Sequence, residues 1–132
     1  MDNYYLKAFC KTILSLDKLI RFAGIANQLG SILATEYREG LVPLMTKEET
    51  SQYAIQAVTR AAMREEFESK IGRLEYSLGK YQKLIRSTIP LASTARESKF
   101  YMLLSFDVNS EAKHIIEKKV LPLILLNKDH FA

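Results

Sequence analysis

The chain has 132 residues, of which 48% are hydrophobic and 26% charged, and its 19 basic and 15 acidic residues give a net charge of +4. This length suits a sizeable core, so the sequence predicts a single domain over residues 1–132 and excludes a linker or a disordered tail. Its one cysteine excludes an internal disulfide and a cysteine-rich zinc site.

Two features bear on location. No apolar run approaches the roughly 18 residues that a membrane helix needs. The first residues, MDNYYLKAFCKTILSLDK, carry an acid at Asp2 and no small-residue cleavage pattern, which argues against a signal peptide. Together they predict a cytoplasmic protein without a membrane span.

The excess of positive charge is confined to residues 58–99, which hold nine basic and five acidic residues. A basic surface there could meet an acidic partner or a phosphate backbone. A net charge of this size is also ordinary for a soluble domain, so nucleic-acid binding is disfavoured.

The first third of the chain predicts a helix and a hairpin. Apolar residues recur at three- and four-residue steps over 3–16, which indicates a helix with one buried face. Cys10 lies on that face and is interpreted as a small buried hydrophobe. Residues 18–27 and 31–38 then predict two strands, joined by a tight turn at Gly30.

A capping box opens the middle of the chain. Thr46 is the predicted N-cap and Glu49 the residue that reaches back to it. A long helix follows to about Lys70, and Gly72 ends it. Its apolar positions are Tyr53, Ala54, Ala57, Val58, Ala61, Ala62 and Phe67. Because many of these are alanines, the helix is expected to approach its neighbour closely.

Three further strands are predicted at 73–80, 83–91 and 99–107, with a loop at 92–98. The first alternates, which places Leu74, Tyr76 and Leu78 on one face.

A last helix should then begin at a cap on Asn109 or Ser110. Pro122 is expected to break or kink it, because proline lacks the backbone donor of a helix interior.

Strand composition predicts how these elements assemble. The sequences LIRFAGIA and FYMLLSF are apolar at nearly every position, so strands one and five should be buried on both faces. SILATEY and RLEYSLGK alternate, so strands two and three should lie at the edges. The result is an α/β sandwich of the α+β class, α-β-β-α-β-β-β-α, with a five-stranded antiparallel sheet of order 2-1-5-4-3 and helices on both faces.

Three stretches carry a resemblance to a known family. They are IRFAGIANQLGSILATEY, TKEETSQYAIQAVTRAAM, and the pair YQKLIRSTIPL and FYMLLSFDVNSEAKHIIEKKV. In this order the chain resembles the roadblock/dynein-light-chain-like domain of the longin and profilin-like group, and is similar to archaeal members of that type.

The resemblance implies assembly. Roadblock-like domains dimerise through edge strand three and the middle helix, and they bind small Ras-like GTPases or act as scaffolds. Carried over by position, the dimer interface would use Arg73, Glu75, Ser77, Ala54, Val58, Ala61 and Ala62. The family implies no catalytic residue and no cofactor, so the expected function is a homodimeric, non-catalytic interaction module that regulates a small GTPase or scaffolds a complex.

Two sets of polar residues are further candidates for a binding surface. Arg60 and Arg64 lie four residues apart, on one side of the helix, and with Glu65 and Glu68 they could form a surface that docks a partner. The basic stretch 80–86 could act with Tyr81 and Tyr101 as a stacking platform for bases, but alternation puts Lys83 and Arg86 on opposite faces, so ordinary edge decoration is favoured.

The alternative functions have less support. The two histidines, His114 and His130, are far apart in sequence and lack neighbouring ligands, so neither a metal site nor a catalytic site is expected. No phosphate-binding loop motif is present. Tyr37, Arg38 and Glu39 close the first hairpin and could line a small-molecule pocket, so a sensor domain of similar shape remains the alternative to the scaffold.

Overall fold

The computed structural model describes residues 3–91 and 100–131, so the loop predicted at 92–98 and the first residue of the predicted last strand lie outside the described residues. Within these ranges the elements are α1 (Asn3–Ser15), β1 (Ile20–Asn27), β2 (Ile32–Tyr37), α2 (Lys47–Arg64), a 3-10 turn (Glu65–Phe67), α3 (Glu68–Ile71), β3 (Ser77–Lys80), β4 (Leu84–Pro90), β5 (Phe100–Asp107), α4 (Ala112–Ile115), a π turn (Ile116–Val120), α5 (Leu121–Leu126) and a 3-10 turn (Lys128–His130).

The strands form one antiparallel sheet of order β2-β1-β5-β4-β3, which confirms the predicted topology and fold class. β5 lies at its centre, and residues 101–106 are all buried. β1 beside it is buried at all but its second and last positions. Continuous apolar sequence therefore marked the strands that are covered on both faces.

Helices cover both faces of the sheet. On one face α1, α4, the π turn and α5 enclose the larger core, which includes Ile25 and Phe106. Cys10 is fully buried there, as predicted. On the opposite face α2 packs against Phe22 and Leu103 in a smaller core.

The predicted capping box at the start of α2 is confirmed. The Thr46 hydroxyl accepts a hydrogen bond from the Glu49 N–H at 3.1 Å, and the Glu49 carboxylate accepts one from the Thr46 N–H at 2.8 Å. The helix ends earlier than predicted, at Arg64, and a 3-10 turn and α3 complete the segment. Gly72 then ends it with φ +92°, as its sequence position indicated.

The prediction of a strand over 73–80 was wrong in its first half, because β3 begins only at Ser77. Leu74 packs against the smaller core and Tyr76 against the larger one, so these two side chains lie on opposite sides of the sheet. The Tyr76 hydroxyl donates to the Glu117 carboxylate at 2.5 Å, and this bond raises the pKa of Tyr76 to about 12. The segment therefore crosses the sheet edge before it pairs.

The C-terminal helix also differs from its prediction. Neither Asn109 nor Ser110 caps it; α4 begins at Ala112, with Glu111 in the cap position and no side-chain cap bond. Pro122 does not end the helix: a π turn interrupts the regular α-helix just before it, and α5 continues through it. The wider turn accommodates a residue that lacks the N–H and would clash in a regular turn.

Candidate interaction surface

The helix residues predicted for a dimer interface are mostly internal. Ala54, Val58 and Ala61 are buried against the chain's own sheet. They have no surface to offer a second copy while this fold is kept, and the interface prediction is corrected accordingly. Ala62 is exposed on α2. The close approach that alanines permit is used between α2 and the sheet.

The three residues predicted on the edge strand are separated. Ser77 starts β3 and is half-buried, whereas Arg73 and Glu75 lie in the preceding segment and are exposed. Arg73 and Glu75 line a depression of about 270 Å³ with Leu121 and Leu125 of the C-terminal helix. Of the three, only Ser77 lies in β3.

β3 is an edge strand that pairs with β4 alone among the described strands. The Tyr81 N–H donates to the Leu84 carbonyl at 2.8 Å, which makes this a hydrogen-bonded pair. Such pairs alternate along an antiparallel ladder, so Gly79 and Ser77 also bond to β4. The backbone groups of Leu78 and Lys80 therefore point away from the sheet. We call these outward groups the β3 edge.

Three large apolar side chains are exposed in the segment that leads toward this edge. Met63, Phe67 and Ile71 are 67%, 58% and 81% exposed. They lie four residues apart along α2, the 3-10 turn and α3, so they recur at helical spacing. We call them the apolar stripe. Phe67 is one of the predicted apolar positions of the long helix, but it lies outside the core.

The four residues predicted to dock a partner do not form one surface. Arg60 and Arg64 border a cavity against β3 and β4. Glu65 turns toward the sheet, where its carboxylate accepts a hydrogen bond from the Tyr101 hydroxyl at 3.2 Å. Burial raises the pKa of Glu65 against the opposing effect of that bond. Glu68 is half-buried, and one of its carboxylate oxygens has no hydrogen-bond partner.

The stretch 80–86 contains more than exposed charges at the edge of the sheet, because Arg86 contacts two aromatic rings. The guanidinium carbon of Arg86 lies 3.7 Å from the centroid of the Tyr53 ring and 5.7 Å from that of Tyr81. Tyr101 is buried, which excludes it from stacking on a base. The structure therefore agrees with the sequence analysis in disfavouring a base-stacking platform made from Tyr81 and Tyr101.

The end of the first hairpin is held by an ion-pair cluster. Arg38 donates two hydrogen bonds to Asp107, at 2.8 and 3.1 Å, so it is engaged within the chain. Tyr37 lines a groove of about 720 Å³ with Ile55 of α2 and Pro43. This groove between β2 and α2 is the cavity that a sensor function would use.

The histidines and the cysteine are not assembled into a site. His114 is exposed on α4, and His130 stacks on Tyr5 with ring centroids 4.5 Å apart. Residues 3–91 and 100–131 contain no group of three or more His, Cys, Asp or Glu that could hold a metal ion. In the same ranges no helix is long and apolar enough to cross a bilayer.

The fold is that of the Roadblock/LC7 domain, as the sequence resemblance indicated. A solved Roadblock/LC7 domain from Streptomyces avermitilis has a TM-score of 0.70 and 7% identity, and covers 95% of this chain and 96% of its own. Myxococcus xanthus MglB has a TM-score of 0.72 and 11% identity, over 98% of this chain and 90% of its own. An MglB with a tetrameric arrangement gives 0.68 and 13%, over 97% and 93%.

These likenesses define the fold only, because the identities are so low. The sequence matches no protein-family model and no curated protein.

Proposed function

We propose that the chain is a non-catalytic interaction module that forms a homodimer and binds a small Ras-like GTPase or scaffolds a complex in the cytoplasm. The observation that carries the proposal is the β3 edge with the apolar stripe in the segment before it. An unpaired edge invites pairing with another chain, and exposed large apolar side chains add area to such a contact.

A second copy is the simplest partner for this surface. Two β3 edges can pair antiparallel about a two-fold axis, which makes each protomer contribute the same residues. The two sheets would become continuous, and Met63, Phe67 and Ile71 of each copy would flank the seam. Dimerisation of roadblock-like domains through strand three supports this arrangement.

The GTPase part of the proposal depends on the resemblance to roadblock-like domains. This chain carries no phosphate-binding loop motif, so in such a pair the nucleotide would belong to the partner. The role of this chain would be to recognise one nucleotide state of that partner.

Light scattering over a dilution series tests self-association. We expect a particle of about twice the chain mass of 15.1 kDa at micromolar concentration. Phe67→Lys should weaken the dimer about tenfold or more, because it places a charge in the seam. Leu29→Lys is the control, since Leu29 is also an exposed large apolar residue but lies in the first hairpin turn. A monomer at every concentration would refute the homodimer.

Binding to GTPases is tested separately by biolayer interferometry. The small Ras-like GTPases of the source organism would be loaded with GDP or with a non-hydrolysable GTP analogue. We expect one of them to bind with an affinity that depends on the nucleotide. No binding at about 100 μM, weaker than typical transient signalling contacts, would leave only the scaffold reading.

The groove between β2 and α2 favours a second candidate, a small-molecule sensor. Its volume of about 720 Å³ falls within the range of ligand pockets, and Tyr37, Pro43 and Ile55 line it. Native mass spectrometry of the purified protein should then reveal a bound metabolite, and Ile55→Trp should displace it by filling the groove. Purification without any adduct would count against the sensor.

A further inference from the structure

Arg86 is held by contacts with Tyr53 and Met45, and it forms no ion pair with an acidic residue in the described part of the chain. Its guanidinium carbon lies 3.7 Å from the centroid of the Tyr53 ring, and the guanidinium donates a hydrogen bond to the Met45 sulfur, a weak acceptor. Across the ladder it faces Gly79, which has no side chain to cover it. A guanidinium has five N–H donors, so most of those of Arg86 remain available.

Two more arginines border the same cavity. Arg60 and Arg64 stand one turn apart on α2, and the Arg60 guanidinium carbon lies 5.9 Å from the Tyr53 centroid. The cavity has a volume of about 140 Å³. Its lining includes Arg60, Arg64, Arg86, Tyr53, Tyr81 and Thr88, and we call it the arginine pocket.

The absence of acidic residues from the lining distinguishes this pocket. No ion pair joins any of its three arginines to a carboxylate within residues 3–91 and 100–131. Elsewhere the chain does neutralise its half-buried arginines, since Arg21 and Arg38 share Asp107. The pocket therefore concentrates positive charge that the described part of the chain leaves uncompensated.

We propose that the arginine pocket binds the phosphoryl group of a small molecule. Three guanidiniums match a phosphate dianion better than a single carboxylate, and their planar forks suit its oxygens. The cavity is large enough for a phosphate but not for a whole nucleotide, so the rest of the ligand would project past the exposed Tyr81. This site is independent of the proposed GTPase partner.

Titrations of the full chain followed by ¹⁵N–¹H spectra of the arginine side chains test the site. The probes are inorganic phosphate, pyrophosphate and AMP, with sodium chloride at matched ionic strength as the blank. We expect saturable shifts at the arginine Nε–H groups with phosphate. Tighter binding of pyrophosphate would indicate a diphosphate ligand, and tighter binding of AMP a nucleotide that also contacts Tyr81.

The variants use matched charge changes. Arg60→Gln with Arg64→Gln removes two surface guanidiniums without touching the core, and Arg86→Gln removes the stacked one. Each should weaken phosphate binding about tenfold or more. Lys113→Gln removes one charge, as Arg86→Gln does, but on the opposite face of the sheet, where Lys113 is exposed, and it should change the affinity less than twofold.

Three results would overturn the proposal. Shifts that do not saturate would indicate general screening by the anion. Equal phosphate affinity in the wild type and the arginine variants would place the anion elsewhere. Loss of self-association in Arg86→Gln, with no phosphate binding in the wild type, would assign the pocket to a carboxylate of a second copy.

Discussion

Asp107 joins two strands at one end of the sheet. It accepts hydrogen bonds from Arg38 at 2.8 and 3.1 Å and from Arg21 at 3.4 Å, and these contacts hold its pKa below the ordinary value, with the Arg38 bond as the main cause. Asp107→Asn should lower the free energy of unfolding by about 1–3 kcal/mol at pH 7. A carboxyl whose pKa is lower in the folded protein than in the unfolded chain stabilises the fold at pH values above its pKa in the unfolded chain. This stabilisation is lost as the pH falls through the pKa of the carboxyl in the folded protein.

Urea unfolding at pH 7 and at pH 3 measures this loss. The difference between wild type and Asp107→Asn should shrink at pH 3, because this pH lies below the ordinary pKa of the carboxyl in the unfolded chain and part of the stabilisation is already lost there. Asp129→Asn, at an exposed position in the last 3-10 turn, is the control and should be nearly neutral. An equal loss at both pH values would mean that packing, rather than charge, explains the role of Asp107.

The buried thiol of Cys10 should make the stability of the fold depend on pH in the alkaline range. Burial, reinforced by the Glu36 carboxylate, raises the pKa of the thiol from 9.0 to about 12. Between these values the unfolded chain loses the proton and the folded chain keeps it, so stability should fall as the pH rises, by at most about 1.4 kcal/mol per pH unit. Urea unfolding from pH 8 to 10 should show a flatter decline in Cys10→Ala.

Thiol labelling provides an independent check of the same residue. Ellman's reagent should modify Cys10 only as fast as the protein unfolds, because the thiol is fully buried. Rapid modification of the folded protein, or identical pH slopes for wild type and Cys10→Ala, would contradict this account.

At the scale of single residues, contacts were predictable from the sequence only where the two partners lie close together along the chain. The Thr46–Glu49 box was predictable because both partners lie within one turn. Asp107 and Arg38 are 69 residues apart, and their pairing follows only from the sheet register. The stacking of Arg86 on Tyr53 joins different elements in the same way, so the arginine pocket had no signal in the sequence beyond the spacing of Arg60 and Arg64.

Among the elements, α2 shows what an amphipathic pattern leaves open. The pattern predicts which face is apolar but not whether that face meets the chain's own sheet or a partner. Ala54 and Ala61 pack against the chain's own sheet. The prediction for β3 failed for a different reason. Residues 73–76 alternate between apolar and polar side chains as a strand does, yet this segment crosses from one face of the sheet to the other before the strand pairs.

The turn of the first hairpin packs directly on α2. Gly30 has φ +84°, and a Cβ there would lie 2.6 Å from the Ile55 Cα. Gly40 has φ +77°, and a Cβ there would meet nothing within 4 Å. Gly40→Ala should therefore cost about 1–2 kcal/mol from backbone strain alone. Gly30→Ala should cost about 1–3 kcal/mol more, because two backbones must separate.

Denaturant unfolding of both variants makes the comparison. The difference between them isolates the hairpin–helix contact, since the conformational cost of a positive φ is common to both positions. Equal losses would mean that the hairpin can move away from α2 without cost, and would remove this contact from the account of the fold.

At the scale of the molecule, the order of the strands was predictable because burial on two faces leaves a continuous apolar run. β1 and β5 carry such runs, and only a central position covers both of their faces. The exposure of the apolar stripe was not predictable, since Met and Phe are residue types that usually lie in the core. Their exposure depends on where α2 ends relative to the sheet.

The two edges of the sheet permit a direct test of which one assembles. The Lys80 N–H points outward from β3, so Lys80→Pro removes an edge donor without breaking a bond to β4. At the other edge the Arg38 N–H donates to the Arg21 carbonyl at 2.8 Å, and the same alternation turns the Thr35 N–H outward from β2. Thr35→Pro is therefore the matched control.

If two copies pair through β3, Lys80→Pro should weaken the dimer about tenfold or more, while Thr35→Pro leaves it within about twofold, because only the first variant removes a donor from the seam. Sedimentation equilibrium measures both dissociation constants, and far-ultraviolet circular dichroism verifies that each variant is folded. The reverse ranking would move the seam to β2, beside the groove that Tyr37 and Ile55 line. Two unaffected dimers would exclude strand pairing and leave the apolar stripe as the whole contact.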